Sequence, residues 1–400
     1  MRSPLRRLPL DVVEEDWTAK DLAQLRPTPD SIAEFQAAFS MTAGIAGKLW
    51  FTSSGREGLR SLLAALPRDP DRTDVLMSAF NCPVVPAAVR TAGYRPVFYD
   101  FATSRGEVDW SGVASRIDSR VAAVLVSHFF GAPADAEPIR DRARHAGVHV
   151  IEDCAHAIGG SLRGIPVGSL WDAAIFSFNY GKPISLGGGA AVVLNSDALR
   201  DITLPVVRVE EALERREIAA YLKSVTAGRS AVAPVPVTVE FGRRVGRRLG
   251  LMTPVTPPLA RGVGPLRAEL GILCLSRWPG TQGARNANAA FMASRGIPLW
   301  NLPEGALPSW LRLRLTLQDR RAVKAASRRL RDRGFRAGNL NWSTVDPRAD
   351  DLPWAERAAA YGIDAPIHQN MTVDDLASVA EVLGSYSVED GKGPQASGGC

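Results

Sequence analysis

Lys182 sits in Ser-Phe-Asn-Tyr-Gly-Lys-Pro-Ile-Ser-Leu-Gly-Gly-Gly, residues 177–189, directly after the apolar run Ala173-Ala174-Ile175-Phe176. A lysine confined between apolar segments is a poor surface residue and a good amine nucleophile. Upstream, Val150-Ile151-Glu152-Asp153 ends a second apolar run in two acids. An amine and a carboxylate can therefore converge at the strand ends of one sheet. Such an amine can form a Schiff base with an aldehyde, and such an acid can keep a pyridine nitrogen protonated. These are the two groups that a pyridoxal phosphate enzyme requires.

The elements that position these groups follow from the spacing. From residue 48 to 195 short apolar runs alternate with amphipathic stretches, the pattern of βαβ units and a mostly parallel sheet. Strands are expected at 48–51, 75–77, 96–99, 122–126 and 148–151. Helices are expected at 55–66, 86–92, 113–117 and 135–146, the last opened by Asp135 as its cap. After Asp153 the rhythm changes, because the runs 173–178 and 190–194 have no helix between them. They are expected to pair as neighbours, which places Lys182 in their connecting loop, where loops over rigid strands build active sites.

Residues 205–265 are rich in arginine, glutamate and proline and read as a crossover. A helix from Leu266 leads into a second unit, where residues 310–317 alternate as a strand and 319–333 read as a helix packed on it. The expected domains are 1–250, an N-terminal arm plus the large domain; 251–386, a small C-terminal α/β domain; and 387–400, a disordered tail. Arg312 and Arg314 share one face of the second unit's strand. They are either solvent-facing or placed to grip a carboxylate bidentately.

Four hundred residues can enclose a water-excluding site. The net charge is +6 and the pI about 9.3, yet acids and bases are interspersed and only six of the cations are lysine. The densest basic stretch, Arg243-Arg244 with Arg247-Arg248, lacks aromatic residues for base stacking, so no nucleic-acid partner is expected. Cysteines 82, 154, 274 and 400 have neither zinc-site nor disulfide spacing. No metal is expected, and a Glu152–Asp153 metal pair lacks a second ligand cluster. No segment reads as a signal peptide or membrane span, so a cytoplasmic protein is expected.

Four segments in order, 126–135, 150–159, 164–168 and 177–182, resemble the DegT/DnrJ/StrS-type pyridoxal phosphate aminotransferases, most of which aminate keto sugars bound to nucleotides. The resemblance implies a three-layer α/β fold with a mostly parallel sheet and a smaller C-terminal α/β domain. It matches Lys182 to the Schiff-base lysine and Asp153 to the partner of the pyridine nitrogen. His156 falls near the cofactor's phenolic oxygen, with a structural core histidine as the rival reading. Ser53-Ser54-Gly55-Arg56-Glu57 lies between a strand and a helix and offers backbone amides to the phosphate. Gly55 matches the usual Gly-Thr-Ala there, whereas Arg56 and Glu57 depart from it. Ser177 matches a phosphate-binding serine. Phe80 is the candidate to stack on the ring, although counting back from Gly93 puts Cys82 at that place. His128 also falls at a position typical of the family, with a satisfied structural histidine as the rival reading.

The family's Asn-Tyr-Arg segment, whose asparagine reaches a partner subunit's phosphate, is absent between 250 and 270; Arg261-Gly-Val-Gly264 stands there. The resemblance implies a homodimer, an amino donor such as glutamate or glutamine, and a keto-sugar or cyclitol acceptor. Within the family a dehydratase subgroup carries histidine at the lysine position, so Lys182 argues for transamination. A dinucleotide oxidoreductase would need GxGxxG after the first strand, and a serine hydrolase GxSxG. A non-catalytic protein that binds the cofactor or a sugar on the same fold is the alternative.

Overall fold

Seven of the apolar runs assemble into one sheet in a computed structural model that describes residues 11, 13–205, 209, 211–230, 262–338, 343–344 and 352–386. The strands are β1 (Lys48–Thr52), β2 (Asp74–Ser78), β4 (Arg95–Tyr99), β5 (Val121–Ser127), β6 (His149–Asp153), β9 (Ala173–Ser177) and β10 (Ala190–Leu194), in the order β1-β10-β9-β6-β5-β2-β4. Only β10 runs against the others, and it pairs antiparallel with both β1 and β9. The expected pairing of the two runs that flank Lys182 is therefore present. Among the described residues, five two-residue strands lie outside this sheet: β3 (Phe80–Asn81), β7 (Ser161–Leu162), β8 (Ile165–Pro166), β11 (Ala306–Leu307) and β13 (Ser343–Thr344).

The sheet is buried on both faces, and alternation along each strand assigns side chains to layers. Ala123 and Leu125, Ala173 and Ile175, and Val192 and Leu194 pack beneath the helices Gly55–Ala65 and Val84–Thr91. On the opposite face, Ala174, Phe176, Ala191 and Val193 meet Phe35 and Phe39 of the helix Ser31–Ala43, together with Leu266 and Leu270. Farther along that face, Val124, Val126 and Val150 cover Trp110, Val113 and Ala143. This is the expected three-layer α/β arrangement.

The smaller unit is built on β12 (Leu313–Thr316) paired antiparallel with β14 (Gly362–Ala365), with β13 (Ser343–Thr344) paired to β3. The helices Arg320–Asp332, Pro353–Tyr361 and Val373–Gly384 close a core with Leu313, Leu315, Ile363 and an aromatic group of Phe80, Phe101, Phe129, Phe130 and Trp300. The helix Pro265–Ser294 enters both interiors. Cys274, Leu275 and Trp278 belong to the large unit's core, and Ala289 and Met292 to the small one's. The boundary expected at residue 250, the basic stretch at 243–248 and the tail 387–400 lie outside the described residues.

Two local expectations are corrected. Asp135 does not cap the helix Arg140–Ala146; its carboxylate accepts from the Glu137 amide at the start of a short 3₁₀ turn and pairs with Arg163. The alternation at 310–317 does not mark a solvent-facing strand, because Arg312 and Arg314 are 8% and 2% exposed. Their guanidinium groups lie over the rings of Phe130 and Phe80, at 5.6 and 5.4 Å, and Arg314 donates to Asp364 Oδ2 at 3.0 Å. Polar alternation resembles a wet face even when aromatic rings and a carboxylate take the place of water.

Candidate active site

Parallel pairing brings the carboxyl ends of β5, β6 and β9 level, with Ser127 opposite Asp153 and Asp153 opposite Ile175. Beside them, β1 runs into the helix Gly55–Ala65, which the buried side chains of Leu59, Leu62 and Leu63 pin to the sheet. Each such leucine contributes about 1.5–3 kcal/mol by burial. A cavity of about 200 Å³ opens at this edge, and Ser54, Gly55, Arg56, His156, Asp153, Ser177 and Lys182 all line it. Seven of the eight residues expected from sequence to hold the cofactor thus meet in one place.

Phe80 does not. It is fully buried in the aromatic group of the small unit, with ring centroids 5.5–6.3 Å from Phe101, Phe129, Phe130 and Trp300. Asn81 and Cys82 face the cavity instead. A strand of two residues carries too little alternation to fix which neighbour faces inward.

The start of the helix Gly55–Ala65 is shaped for an anion. Ser54 is its N-cap and accepts from the Glu57 amide at 3.2 Å, which leaves the Gly55 and Arg56 amides at the positive helix end without intrahelical acceptors. A side chain at Gly55 would stand 3.3 Å from Ser177 Cβ, so glycine keeps the space beside Ser177 open. Among the described residues, Arg56 Nε, Asn81 Nδ2 and Ser127 Oγ are buried polar atoms without a hydrogen-bond partner, and all three residues line this cavity. Unmet donors converging on one cavity mark a place prepared for a polar ligand.

The loop that carries Lys182 is anchored at several points. Leu186 donates to the Phe178 carbonyl at 2.8 Å, and Phe178 donates to that of Gly189 at 3.0 Å. Trp17 Nε1 donates to the Ser185 carbonyl at 2.7 Å, and the buried Arg267 reaches the Leu186 carbonyl at 3.3 Å while pairing with Glu217. Glu214 in turn accepts from the Gly264 and Leu266 amides at 2.6 and 3.1 Å. Sequence reading missed Trp17, Glu214, Glu217 and Arg267. Trp17 is a lone aromatic and the other three are charges in helical stretches, about 30 to 165 residues from the lysine they support, so no local motif marks them.

Burial lowers the Lys182 ammonium pKa, with the Asp153 carboxylate opposing that shift and Arg312 adding to it. Burial likewise raises the Asp153 carboxyl pKa, offset in part by the charge on Lys182. His156 is held well below the ordinary histidine range by burial and then by the charges of Lys182 and Arg312. Its Nε2 lies 3.0 Å from Lys182 Nζ, and its Nδ1 accepts from the Phe130 amide at 3.2 Å.

Glu152, one residue before Asp153, points to the other face of the sheet. It accepts from the amides of Gly168, Leu170 and Trp171 at 2.7–3.1 Å and lies 3.1 Å from His128 Nε2. His128 Nδ1 accepts from the Ala134 amide at 2.9 Å, so His128 donates through Nε2 to the carboxylate. His128, Glu152 and Cys154 cluster closely enough to ligate a metal. The hydrogen bonds that already occupy Glu152 and His128 make this a structural brace between β5, β6 and the turn at Gly168. A second cavity, of about 160 Å³, adjoins the first through Ser127 and Phe129 and is lined by Glu107, Asp135 and Asn301.

Residues 23–226 match the DegT/DnrJ/EryC1/StrS aminotransferase family. A UDP-N-acetyl-3-dehydro-alpha-D-glucosamine 3-aminotransferase of Acidithiobacillus ferrooxidans is 34% identical over 146 residues, 36% of this chain and 39% of its own length. The L-glutamine:2-deoxy-scyllo-inosose aminotransferase of Streptoalloteichus tenebrarius is 28% identical over 323 residues, 72% of this chain and 71% of its own. The crystal structure of the aminotransferase TlmJ from Streptoalloteichus hindustanus superimposes with a TM-score of 0.69 at 22% identity, over 94% of this chain and 97% of that one. The first curated relatives are matched over only 39%, 31% and 35% of their lengths.

Proposed function

The chain belongs to the DegT/DnrJ/EryC1/StrS aminotransferase family, and from that premise we propose that it transfers an amino group from an amino acid, glutamate or glutamine, to a keto or aldehyde acceptor, with pyridoxal phosphate as its cofactor. The acceptor class is a keto sugar, nucleotide-linked or free, or a cyclitol, on a route to an amino sugar or secondary metabolite. Both relatives named above bear aminotransferase names, one for a nucleotide-linked sugar and one for a cyclitol with glutamine as donor.

The observation that carries the reading is that a half-buried amine, Lys182, and a half-buried carboxylate, Asp153, line one cavity with a free helix start and Ser177. The donor set fits the cofactor. The Gly55 and Arg56 amides, Ser177 Oγ and the unpaired Arg56 Nε suit a phosphate, and Asp153 suits a protonated ring nitrogen. When bound, pyridoxal phosphate supplies an aldehyde that condenses with amines and a cationic ring that withdraws electrons from the bond being broken.

The protein's own contributions follow from the geometry. Asp153 holds a proton at the ring nitrogen because a carboxylate facing a pyridinium gains more from their attraction where water is scarce. Lys182, whose ammonium form burial disfavours, takes a proton at Nζ and returns it at the neighbouring carbon. Arg312 reaches from the small unit toward Lys182 and His156 and binds the donor's carboxylate. The loop bonds to Trp17 and Arg267 keep Nζ in place, which limits the reorganisation needed at each proton move.

A homodimer, a cytoplasmic location and a division of the chain into a large domain over 1–250 and a small one over 251–386 complete the proposal. The family resemblance supports the first, the free Cys82, Cys154 and Cys274 the second, and the two separate interiors the third. Among the described residues no helix is long and apolar enough to cross a membrane. The non-catalytic alternative draws no support from a cavity that holds both the amine and the acid.

The test is borohydride reduction of the protein after incubation with pyridoxal phosphate, followed by peptide mass mapping. A cofactor adduct on Lys182 is expected. The pyridoxamine-loaded protein is then offered a panel of nucleotide-linked keto sugars and cyclitols, with product mass as readout. No adduct on Lys182, or no amination across the panel, would overturn the proposal.

A further inference from the structure

His156 makes two hydrogen bonds whose directions are linked. The Phe130 N–H is an obligatory donor, so the Nδ1 that accepts it at 3.2 Å must carry a lone pair. A neutral imidazole then bears its proton on Nε2, the atom that lies 3.0 Å from Lys182 Nζ. A donor at that distance requires an acceptor, and a lysine nitrogen accepts only as the unprotonated amine.

We propose that His156 is a positioning residue: fixed in its Nε2–H form by the Phe130 amide, it donates to Lys182 Nζ and so selects the free amine before cofactor or substrate arrives. The backbone that imposes this is itself firmly held. Phe130 adopts φ 58°, a left-handed conformation that a phenylalanine occupies at a cost, and its carbonyl accepts from the Leu311 amide at 2.9 Å. The next residue, Gly131, has φ 92°, and its carbonyl accepts from the Ser309 amide at 2.9 Å. The small unit thereby aims the Phe130 N–H at the imidazole. The other groups facing Lys182 are the Asp153 carboxylate, which favours the ammonium, the Arg312 guanidinium, which disfavours it, and the Cys82 thiol.

The inference rests on the reading of Lys182 as the reacting amine, but it is tested without the cofactor. In the cofactor-free full chain with ¹⁵N-labelled histidine, five residues contribute signals. The His156 resonances, assigned by their loss in His156→Gln, are expected to be those of the neutral Nε2–H tautomer at pH 7–8. Competitive acetylation of Lys182 across pH, read by mass spectrometry, gives the amine's midpoint in the same sample. His156→Ala admits water that can solvate an ammonium, and its midpoint is expected to rise by about half to one pH unit. At a fixed pH below the midpoint that is about three- to tenfold less labelling. His156→Gln offers a carbonyl to Phe130 and an N–H to Lys182 and is expected to restore the wild-type curve. An Nδ1–H tautomer or an imidazolium at pH 7–8 in the wild type would overturn the proposal even if His156→Ala fails to fold. So would an unchanged midpoint in a folded His156→Ala. A cofactor adduct on Lys182 together with either result would sink the inference alone, leaving the aminotransferase reading intact.

Discussion

Replacing Asp364 by asparagine tests whether the arginines of β12 are held as ion pairs. Asp364 is fully buried, accepts from Arg314 Nη1 at 3.0 Å and lies 3.5 Å from Arg312 Nε. Asparagine preserves the shape and removes the charge, leaving two enclosed guanidinium groups facing a neutral amide. Breaking a buried pair from one side costs about 3–5 kcal/mol, a large share of the roughly 5–15 kcal/mol by which most domains are stable. Urea unfolding followed by circular dichroism measures the loss. Asp364→Asn combined with Arg314→Met removes the nearer of the two stranded charges, and the double variant is expected to recover more than half of the cost. Because Arg312 also faces Asp364, the single variant is expected to raise the KM for the amino donor in parallel. A loss below about 1 kcal/mol, or a double variant no better than the single one, would refute the electrostatic account.

Lys182→Ala is expected to abolish amino transfer in a coupled assay while leaving the melting temperature close to wild type, since a loop amine contributes little packing. Asp153→Asn is expected to keep the fold, bind the cofactor weakly and lose most turnover. The same variant carries a pH signature. Burial raises the folded pKa of Asp153 above its unfolded value, so stability is greatest below the unfolded value and falls as pH rises through the folded one. Asp153→Asn is expected to flatten that fall in urea midpoints of the cofactor-free chain. Arg312→Ala is expected to raise the donor KM about tenfold or more, as expected for a lost charge-assisted hydrogen bond, with a smaller change in acceptor KM. Gly131→Ala places a methyl 2.0 Å from the Ser309 carbonyl oxygen at φ 92° and is expected to lower the melting temperature, with a cost of about 2 kcal/mol or more.

The legible part of the site was the part written in short stretches of sequence. Asp153, His156, Ser177 and Lys182 stand at fixed distances from strand ends, and the alternation of β5, β6 and β9 was long enough to locate those ends. Arg312 and Arg314 were visible as a pair, but their burial depends on Asp364, about fifty residues away, and on rings contributed by the large unit's loops. Phe80 failed for a different reason: within a two-residue strand, a shift of one position exchanges the core for the cavity. Asp135 sits two residues before a 3₁₀ turn, and that extra turn separates it from the helix it was expected to cap.

The helix Pro265–Ser294 has a practical consequence for anyone who would graft a relative's acceptor preference onto this scaffold. Its thirty residues form a single rod, interrupted only by Pro279, whose two ends are sealed into different interiors. A chimera joined just before Pro265 would carry a foreign rod into the native large unit, and one joined after Ser294 would leave a native rod in a foreign small unit. The proline, which already forgoes a backbone bond at mid-length, is the seam where neither interior has to be recut.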